Sequence, residues 1–381
     1  MRRGRRAQCR TLLIAFVQIL GFEHCRAQDA PTTPTQAVRS WAVTFENDLF
    51  FKTDHYYTDG VQIATRTHSE HVPAELTSVV CPLLRCGVAS RYERGDKVGQ
   101  LMYTPSRINI ATPQPYDRPW AGLLYYANEH EWIEEDEKSR TSFTSEIGVT
   151  GPASLAEGTQ KAIHRTFDGA EPRGWGNQIG GELALMAMVE RRVAVRALST
   201  AKQEGVQANT TSSWRAAAGN LMTFVGIGAT VEVGKGISLT SPRNEPIQPK
   251  VLKPVLEFKP LQADPEAQPS ATVSAGSGAP DTECLFRWLQ CKAAASVEGR
   301  WMLRNIFLDG RLFGDDPHVK KRPFVADVVL SVTLTFPKTR TTHVGPLFVG
   351  LSATHRTPEF RSPKFSVSSQ NFAAITVGTA F

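Results

Sequence analysis

The chain has 381 residues, with 43 Lys and Arg against 37 Asp and Glu, so its formal net charge is +6. Residues 1–27 contain six Arg and one Glu, and they therefore account for five of these six positive charges. The rest of the chain is close to neutral and has no basic patch of the kind that nucleic acid requires. We therefore expect no nucleic-acid partner.

Residues 1–27 are predicted to be an export signal rather than part of the fold. Five of the first ten residues are Arg, an apolar run follows over residues 12–20, and Cys25-Arg26-Ala27 supplies a small-x-small cleavage pattern. The apolar run is too short for a membrane-spanning helix, which needs about 20 residues. We predict export with cleavage after Ala27 and without lipid attachment at Cys25.

Four cysteines follow the signal as two close pairs, Cys81 with Cys86 and Cys284 with Cys291. Export leads to an oxidising compartment, where two short loops closed by disulfides are expected. A zinc site is the alternative, but neither pair has C-x-x-C spacing and no His residues cluster nearby. We predict two local disulfides.

Apolar and polar residues alternate along much of the exported chain, for example between Phe324 and Phe336 and over residues 221–232. Period two with one apolar face is compatible with a soluble sandwich as well as with a membrane barrel. The final stretch, residues 371–381, alternates and ends on Phe381, the usual ending of an outer-membrane barrel. Closure of such a barrel leaves no unpaired strand edge in the membrane.

The predicted fold class is all-β, a transmembrane antiparallel β-barrel of about 12 strands over residues 28–381. Residues 241–283 are rich in Pro, Ala, Ser and Gly and are predicted to form a long loop inserted into the barrel. The candidate strands lie at 41–50, 57–67, 96–103, 120–133, 141–149, 181–190, 192–200, 219–233, 296–307, 323–336, 345–355 and 371–381.

Polar residues crowd the end of the first strand, at Asn47 and Asp48, and the start of the second, at residues 53–60. One interpretation is a turn, because Asn, Asp, Thr and Gly are turn formers. The other is a hard-cation site, because Asn and Asp oxygens are calcium ligands. Parity places Asp48 and Thr58 on the lumen side and Asn47 on the lipid side, so they meet only if a strand ends or bulges there.

A short helix is predicted after the fifth strand. Ser154 and Glu157 form an S-x-x-E capping box, and Glu157, Gln160 and His164 would share one helix face. A solvated surface is one interpretation of that face. The other makes His164 a general base, the commonest side chain for this role near neutral pH. The G-x-S-x-G elbow of many serine esterases is absent from the sequence.

These stretches resemble the lipid A 3′-O-deacylase family of outer-membrane barrels. Seven motifs occur in the family's order between residues 41 and 182, whereas the remainder matches only as a barrel. The motifs are F-E-N-D at 45–48, Y-Y-T-D-G at 56–60, Q-L-M-Y-T-P at 100–105, D-R-P-W-A-G at 117–122, G-V-T-G-P at 148–152, residues 160–165, and G-W-G-N-Q at 174–178.

The resemblance implies a calcium-dependent esterase that releases a 3′-linked acyl or acyloxyacyl chain from lipopolysaccharide in the outer leaflet. Matched position by position, the family's Asn-Asp pair falls on Asn47 and Asp48, its threonine on Thr58 and its helix histidine on His164. In that picture His164 deprotonates the attacking water, and calcium near Asn47 and Asp48 stabilises the oxyanion. Thr58 would position the substrate or a ligand.

The chain departs from the family at two positions. The family's carboxylate soon after the histidine falls on Ala170 without a gap and on Glu171 with one, so Glu171 is the candidate catalytic carboxylate. A lysine expected after the Tyr-Thr-Pro segment is missing, and Arg107 lies nearby without aligning. The alternative functions are a non-catalytic pore or binding barrel and an outer-membrane phospholipase. A monomer is expected, although the sequence leaves the oligomeric state open.

Overall fold

The computed structural model describes residues 39–51, 55–69, 78, 89–134, 138–166, 169–195, 206–234, 289–336 and 346–380. Twelve of its strands form one closed antiparallel barrel, which confirms the predicted fold class. No helix in the described part of the chain is long and apolar enough to cross a membrane. Cys291 is disulfide-bonded, as predicted. The predicted signal, the 241–283 loop and the other three cysteines of the two pairs lie outside the described residues.

The helices and 3-10 turns described below are those whose full extent lies within the described ranges. The helices are α1 (Ala156–Thr166) and α2 (Ile306–Asp309), and the 3-10 turns cover Leu49–Phe51, Gly151–Ser154 and Trp175–Asn177. The strands are β1 (Arg39–Asn47), β2 (Tyr56–Ser69), β3 (Ala89–Thr104), β4 (Ala121–Glu134), β5 (Ser139–Thr150), β6 (Leu183–Ala194), β7 (Gln207–Gly219), β8 (Met222–Gly234), β9 (Gln290–Asn305), β10 (Lys320–Lys321), β11 (Phe324–Phe336), β12 (Leu347–Arg356), β13 (Phe360–Arg361) and β14 (Gln370–Ala380).

Strands β10 and β13 form a separate two-stranded ribbon, and the other twelve follow one another around the barrel. β1 closes the wall by pairing with β14, from Ser40 opposite Ala380 to Asn47 opposite Ala373. Because strand direction alternates, β1 begins and β14 ends at the same end of the barrel, which we call the base. The opposite end, which we call the mouth, carries α1, α2 and the ribbon. The chain leaves β8 and enters β9 at the base.

Eleven predicted strands correspond to barrel strands, and one is wrong. The predicted strand at 192–200 begins inside β6, its residues 196–200 lie outside the described ranges, and β7 was not predicted. The prediction ended one strand at residue 190 and began another at 192, whereas β6 runs without a break from Leu183 to Ala194. In the structure Arg192 stays within the strand, since it faces the lumen and binds the carboxylate of Glu190 at 2.7 Å.

Outward-facing side chains form an apolar belt, which the alternating pattern predicts. Ile63, Val98, Ile227, Leu303 and Leu330 are each more than half exposed. Exposing apolar surface to water costs roughly 25 cal/mol per Å². A belt of this kind is therefore stable when it faces the hydrocarbon of a membrane rather than water.

An apolar cluster, which we call the lumen plug, fills the mouth half of the lumen. At its centre the ring of Tyr57 lies 5.2 Å from that of Tyr103 and 4.9 Å from that of Phe372, and Tyr103 lies 4.4 Å from Phe307 of α2. Further members come from the walls of β4, β6, β7, β8, β9 and β11. All are buried, so the barrel is filled with side chains at this level.

Charged side chains fill other parts of the lumen as ion pairs. Near the base, Arg66 binds Glu129 at 3.2 Å, and Lys97 binds the same carboxylate at 2.8 Å. Between β9, β11 and β12, the carboxylate of Asp327 binds Arg300 at 3.0 Å and Arg356 at 2.9 Å. Buried charges of this kind are tolerated because each meets an opposite charge.

Removal of Asp327 tests how far this network supports the barrel. We expect Asp327→Ala to lower the free energy of unfolding by about 3–5 kcal/mol, because Arg300 and Arg356 would keep their charges in a buried place. Urea unfolding of the refolded barrel, followed by Trp fluorescence, measures the change. Asp315→Ala is the control, since Asp315 is exposed at the mouth. Equal losses in the two variants would contradict the expectation.

Candidate functional site

A β-bulge in β2 sets the direction of the side chains near the mouth. β2 pairs with β3 at Tyr57–Tyr103 and resumes at Asp59–Met102, so Thr58 is an extra residue. Tyr57 faces the lumen, where its hydroxyl donates to Glu46 at 2.5 Å. After the bulge the alternation is shifted by one residue.

Thr58 consequently faces the outside of the barrel. Its Oγ1 lies 2.7 Å from Oγ1 of Thr104, which has the opposite parity to the lumen residue Tyr103. The prediction that Thr58 faces the lumen is therefore wrong, because it assumed a regular strand. The bulge brings Thr58 and Asp59 to the same side of the wall as Asn47.

Asn47 lies on the outer face of β1, as its parity predicts, and it is only 2% exposed. Its Nδ2 donates to Oδ1 of Asp59, its partner across the ladder. Its Oδ1 accepts a bond from the backbone N–H of Leu49 at 2.6 Å. Asn47 thus ties the end of β1 both to β2 and to the 3-10 turn that follows.

Asp48 begins the turn between β1 and β2 and is fully buried. Its Oδ2 accepts from the backbone N–H of His55 at 2.8 Å, and its carbonyl accepts from that of Phe51 at 2.9 Å. Its own N–H donates to the carbonyl of Thr58 at 3.4 Å. These bonds hold the Asp48 carboxylate beside the bulge, so Asn47, Asp48, Thr58 and Asp59 form one cluster.

Helix α1 buries Ala156, Gln160 and His164, which follow one another at a spacing of four residues on one face. Glu157, predicted to share that face, is exposed and binds Lys161 at 2.7 Å. The predicted capping box is also wrong. Ser154 Oγ donates instead to the Gly151 carbonyl at 2.6 Å, and Leu155, with φ of 60°, separates that turn from α1.

A glycine in β4 allows α1 to lie directly on the outer wall. A Cβ built at Gly122 would lie 2.2 Å from Ser154 Oγ and 2.4 Å from Ala156 Cβ, so any larger residue would push the helix away. The same part of the wall is covered by an apolar cluster of Met102, Ile108, Trp120, Ala156 and Trp175. The helix therefore packs against β3 and β4 on the lipid side.

The strand register relates this helix to the cluster on β1 and β2. Asn47 is opposite Asp59, Asp59 is opposite Met102, and Met102 is opposite Gly122. Strands lie about 4.8 Å apart, so this row spans roughly 14 Å across four neighbouring strands. The polar cluster stands at one end of the row and α1 at the other, both on the outer wall near the mouth.

A backbone carbonyl orients the imidazole of His164. Its Nδ1 lies 2.6 Å from the carbonyl oxygen of Ala170. A carbonyl only accepts hydrogen bonds, so Nδ1 carries the proton and Nε2 of the neutral ring carries the lone pair. This is the tautomer that a base acting through Nε2 requires.

Glu171, the predicted catalytic carboxylate, is not brought to His164. Its side chain is 64% exposed and binds Arg173 at 2.9 Å. The alignment without a gap, which falls on Ala170, matches the geometry better. At that position the contact with the ring is made by the backbone carbonyl of Ala170.

Gln160 is a site residue that the sequence analysis did not single out as a candidate. It is fully buried one turn before His164, and its Oε1 accepts from the indole N–H of Trp175 at 2.7 Å. Its Nε2 makes no hydrogen bond within the described residues. A buried amide donor of this kind needs an acceptor. The sequence signal was its i, i+4 spacing to His164, together with the G-W-G-N-Q motif that contains Trp175.

The oxygen donors of the cluster fit a hard divalent cation in their chemistry. Asp48 and Asp59 supply carboxylates, Asn47 an amide oxygen, and Thr58 and Thr104 hydroxyls, which are ligand types that calcium accepts. Among the described residues, no group of three or more His, Cys, Asp or Glu side chains is arranged to hold a metal ion. Calcium bound here would therefore depend on amide, hydroxyl and backbone oxygens in addition to two carboxylates.

Among solved structures, LpxR from Salmonella typhimurium is similar to this chain with a TM-score of 0.62 and 18% identity, over 90% of this chain and 100% of that one. The beta domain of the Bordetella autotransporter Brka matches 91% of this chain and 99% of its own at 7% identity, with a TM-score of 0.37. The KdgM porin matches 90% of this chain and 99% of its own at 6% identity, with a TM-score of 0.30. Only the first similarity is high enough to indicate a shared fold.

No curated protein matches the chain. The family model described as outer membrane protein LpxR matches residues 12–381, nearly the whole length of the chain. This match confirms the family resemblance identified from the sequence motifs, and it agrees with the closed twelve-stranded barrel. The chain therefore belongs to the outer membrane protein LpxR family, and it is a protein of the outer membrane.

Proposed function

We propose that this protein is a lipid A deacylase that hydrolyses the ester-linked 3′ acyl or acyloxyacyl chain of lipopolysaccharide, with calcium and with His164 as the general base. The observation that carries the proposal is that the Asn47–Asp48–Thr58–Asp59 cluster and helix α1, whose buried face bears His164, stand at the two ends of one row of strands on the outer wall. A base and a set of cation ligands on the lipid side have access to a lipid that never leaves the membrane.

The position of the cluster suits an ester in a lipid. The ester bonds of a lipid lie between its acyl chains and its head group, and the cluster lies at the mouth end of β1 and β2, where the apolar belt ends. The 3-10 turn Leu49–Phe51 beside Asn47 exposes three consecutive apolar side chains. Exposing such a run to water is unfavourable, whereas contact with the acyl chains of lipids would stabilise it.

The orientation of His164 supports the base role. Nε2 takes a proton from water while the water oxygen bonds to the ester carbonyl carbon. The Ala170 carbonyl keeps its bond to Nδ1–H and so stabilises the imidazolium that forms. The imidazolium then returns its proton to the sugar oxygen as the carbon–oxygen ester bond breaks. The products are a free fatty acid and a 3′-hydroxyl group.

Gln160 and the cation ligands would act on the charge that develops on the carbonyl oxygen. The Nε2–H group of Gln160 is directed from the same helix face as His164 and is suited to donate to that oxygen. Asn47, Asp48 and Thr58, with Asp59, would hold calcium. When bound, calcium supplies Lewis-acid stabilisation of the oxyanion.

The main test compares His164→Ala with Glu171→Ala. We expect His164→Ala to lower the rate of lipid A deacylation at least about 100-fold, because a general base typically contributes this much or more. Glu171→Ala should keep the wild-type rate, since its carboxylate is exposed and bound to Arg173. Mass spectrometry of lipid A after incubation with the refolded barrel follows the loss of the 3′-linked chain.

The outcomes of this test separate the alternatives. Loss of activity in Glu171→Ala but not in His164→Ala would reverse the assignment of the two residues. Unchanged lipid A in every acylation form, from a wild-type barrel shown to be folded, would contradict deacylation. Release of fatty acid from phospholipid instead would favour an outer-membrane phospholipase.

The calcium role has its own test in Asp48→Asn. We expect the variant to need roughly tenfold more calcium for half-maximal activity, because it loses a buried carboxylate ligand and its charge. Calcium titration of activity and isothermal titration calorimetry of the refolded barrel both measure this change. Asp315→Asn removes the same charge at an exposed position of the mouth and should leave the requirement unchanged. Full wild-type activity in excess chelator would contradict the role of calcium.

A pore is the alternative from another functional class, and the lumen plug argues against it. Tyr57, Tyr103, Phe307 and Phe372 pack across the lumen as one buried cluster. We expect the wild-type barrel to show no stable conductance steps in planar lipid bilayers, because a filled lumen leaves no water path. A known porin reconstituted in the same way is the positive control. Regular steps of conductance would favour the pore.

A further inference from the structure

The ribbon of β10 and β13 presents positive charges at the mouth. Its register places Lys320 directly opposite Arg361, and both residues are exposed. Like charges directly opposite each other on neighbouring strands are destabilising. Neither side chain forms an ion pair with another described residue. The arrangement therefore favours an anion from outside the chain.

The acidic side chains around the ribbon are already bound to other cations. Asp309 binds Lys321 at 2.9 Å and Asp316 binds Arg311 at 2.9 Å, while Glu359 binds Arg118 at 2.6 Å. Burial alone would raise the pKa of Glu359. The positive charges of Arg118 and Arg356 outweigh this effect and hold that pKa below its ordinary value. Glu359 is therefore ionised, but its charge is directed at those two arginines rather than at the ribbon.

A third cation extends the charged surface toward the candidate site. Lys364 is exposed, and its Nζ lies 5.4 Å from the centre of the Tyr116 ring. Tyr116 belongs to the connection between β3 and β4, which also supplies Trp120 to the apolar cluster under α1. Lys320, Arg361 and Lys364 together make up what we call the cationic surface.

The cationic surface is fixed to the loops that build the site. On the underside of the ribbon, Phe360 is fully buried and meets the Tyr56 ring edge-on at 5.2 Å. Leu308, Val319 and Val367 complete this cluster. Tyr56 is the first residue of β2, two positions before Thr58. The cations therefore have a defined position relative to the cluster on β1 and β2.

We propose that the cationic surface docks phosphate groups of lipopolysaccharide anchored in the outer leaflet. The proposal rests on the proposed function, because it supplies the head-group contact for a lipid whose ester lies at the outer wall. Charge complementarity selects the ligand: three exposed cations without acidic partners match the phosphates of a lipid head group, and Lys and Arg are the residues that bind phosphate. Anchoring in the membrane keeps those phosphates at the level of the mouth.

The test measures binding and turnover separately. The probes are lipid A with its phosphates and the same lipid A after dephosphorylation, in mixed detergent micelles. Binding is measured on the full-length refolded barrel carrying His164→Ala, so that turnover does not change the probe. The test variant adds Lys320→Gln and Arg361→Gln. The matched control adds Lys320→Arg and Arg361→Lys, which exchanges the side chains and keeps both charges.

We expect the double Gln variant to bind phosphorylated lipid A about 3–10-fold more weakly, the range for the loss of two exposed ion pairs. Its affinity for dephosphorylated lipid A should not change, and the charge-keeping control should stay within about twofold of the parent. High salt should remove the difference between the two lipids, because salt screens exposed charges.

Three results would overturn the proposal. They are equal affinity of the parent for the two lipids, equal losses in the Gln variant and the charge-keeping control, and binding of inorganic phosphate alone as tight as that of the phosphorylated lipid. Turnover by the barrel with His164 intact, on the same micelles, is recorded in parallel. Phosphate-dependent binding without hydrolysis contradicts only the proposed function, whereas hydrolysis without charge-dependent binding contradicts only the docking surface.

Discussion

Closure of the backbone ladder between β1 and β14 is the constraint on which the rest of this structure depends. In a membrane each backbone N–H and C=O must be bonded within the protein, so the wall has to be continuous. A continuous wall gives each strand residue one of two directions, toward the lumen or toward lipid. Side chains that point outward are apolar along most of the wall, and side chains that point inward form the ion pairs and the lumen plug. Polar residues on the outside therefore need a local reason.

That reason is a departure from regular structure at two places. The bulge at Thr58 turns Thr58 and Asp59 outward beside Asn47. Gly122 removes a side chain from the outer wall and lets α1 settle on it, with Gln160 and His164 buried on its inner face. Both departures lie near the mouth, where the apolar belt ends. The apolar belt below them is therefore uninterrupted, and the site forms on the outer wall of the barrel.

The sequence was a good guide to the wall and a weaker one to the site. Alternation and the closing Phe381 predicted the barrel class, because period two is a direct consequence of strand geometry. The predicted boundary between strands at residue 191 was wrong, because β6 continues to Ala194 and the charge of Arg192 is accommodated in the lumen by Glu190. Thr58 was assigned to the wrong side, since a bulge adds one residue without a clear mark in the sequence. Glu171 was preferred to Ala170 because the family has a carboxylate there and Ala170 has no side chain that could replace it. In the structure the backbone carbonyl of Ala170 contacts His164, and a sequence pattern does not reveal backbone contacts.

The lumen plug gives a physical reason to propose that the chemistry of this barrel takes place on the outer wall. Phe307 of α2 packs on the ring of Tyr103, and the guanidinium carbon of Arg118 lies over the same ring, 4.1 Å from its centroid. Arg118 is in turn bound to Glu359, next to the ribbon. The plug, the connection from β3 to β4 and the ribbon are therefore one connected structure. The filled lumen therefore supports both the outer-wall cluster and the cations above it.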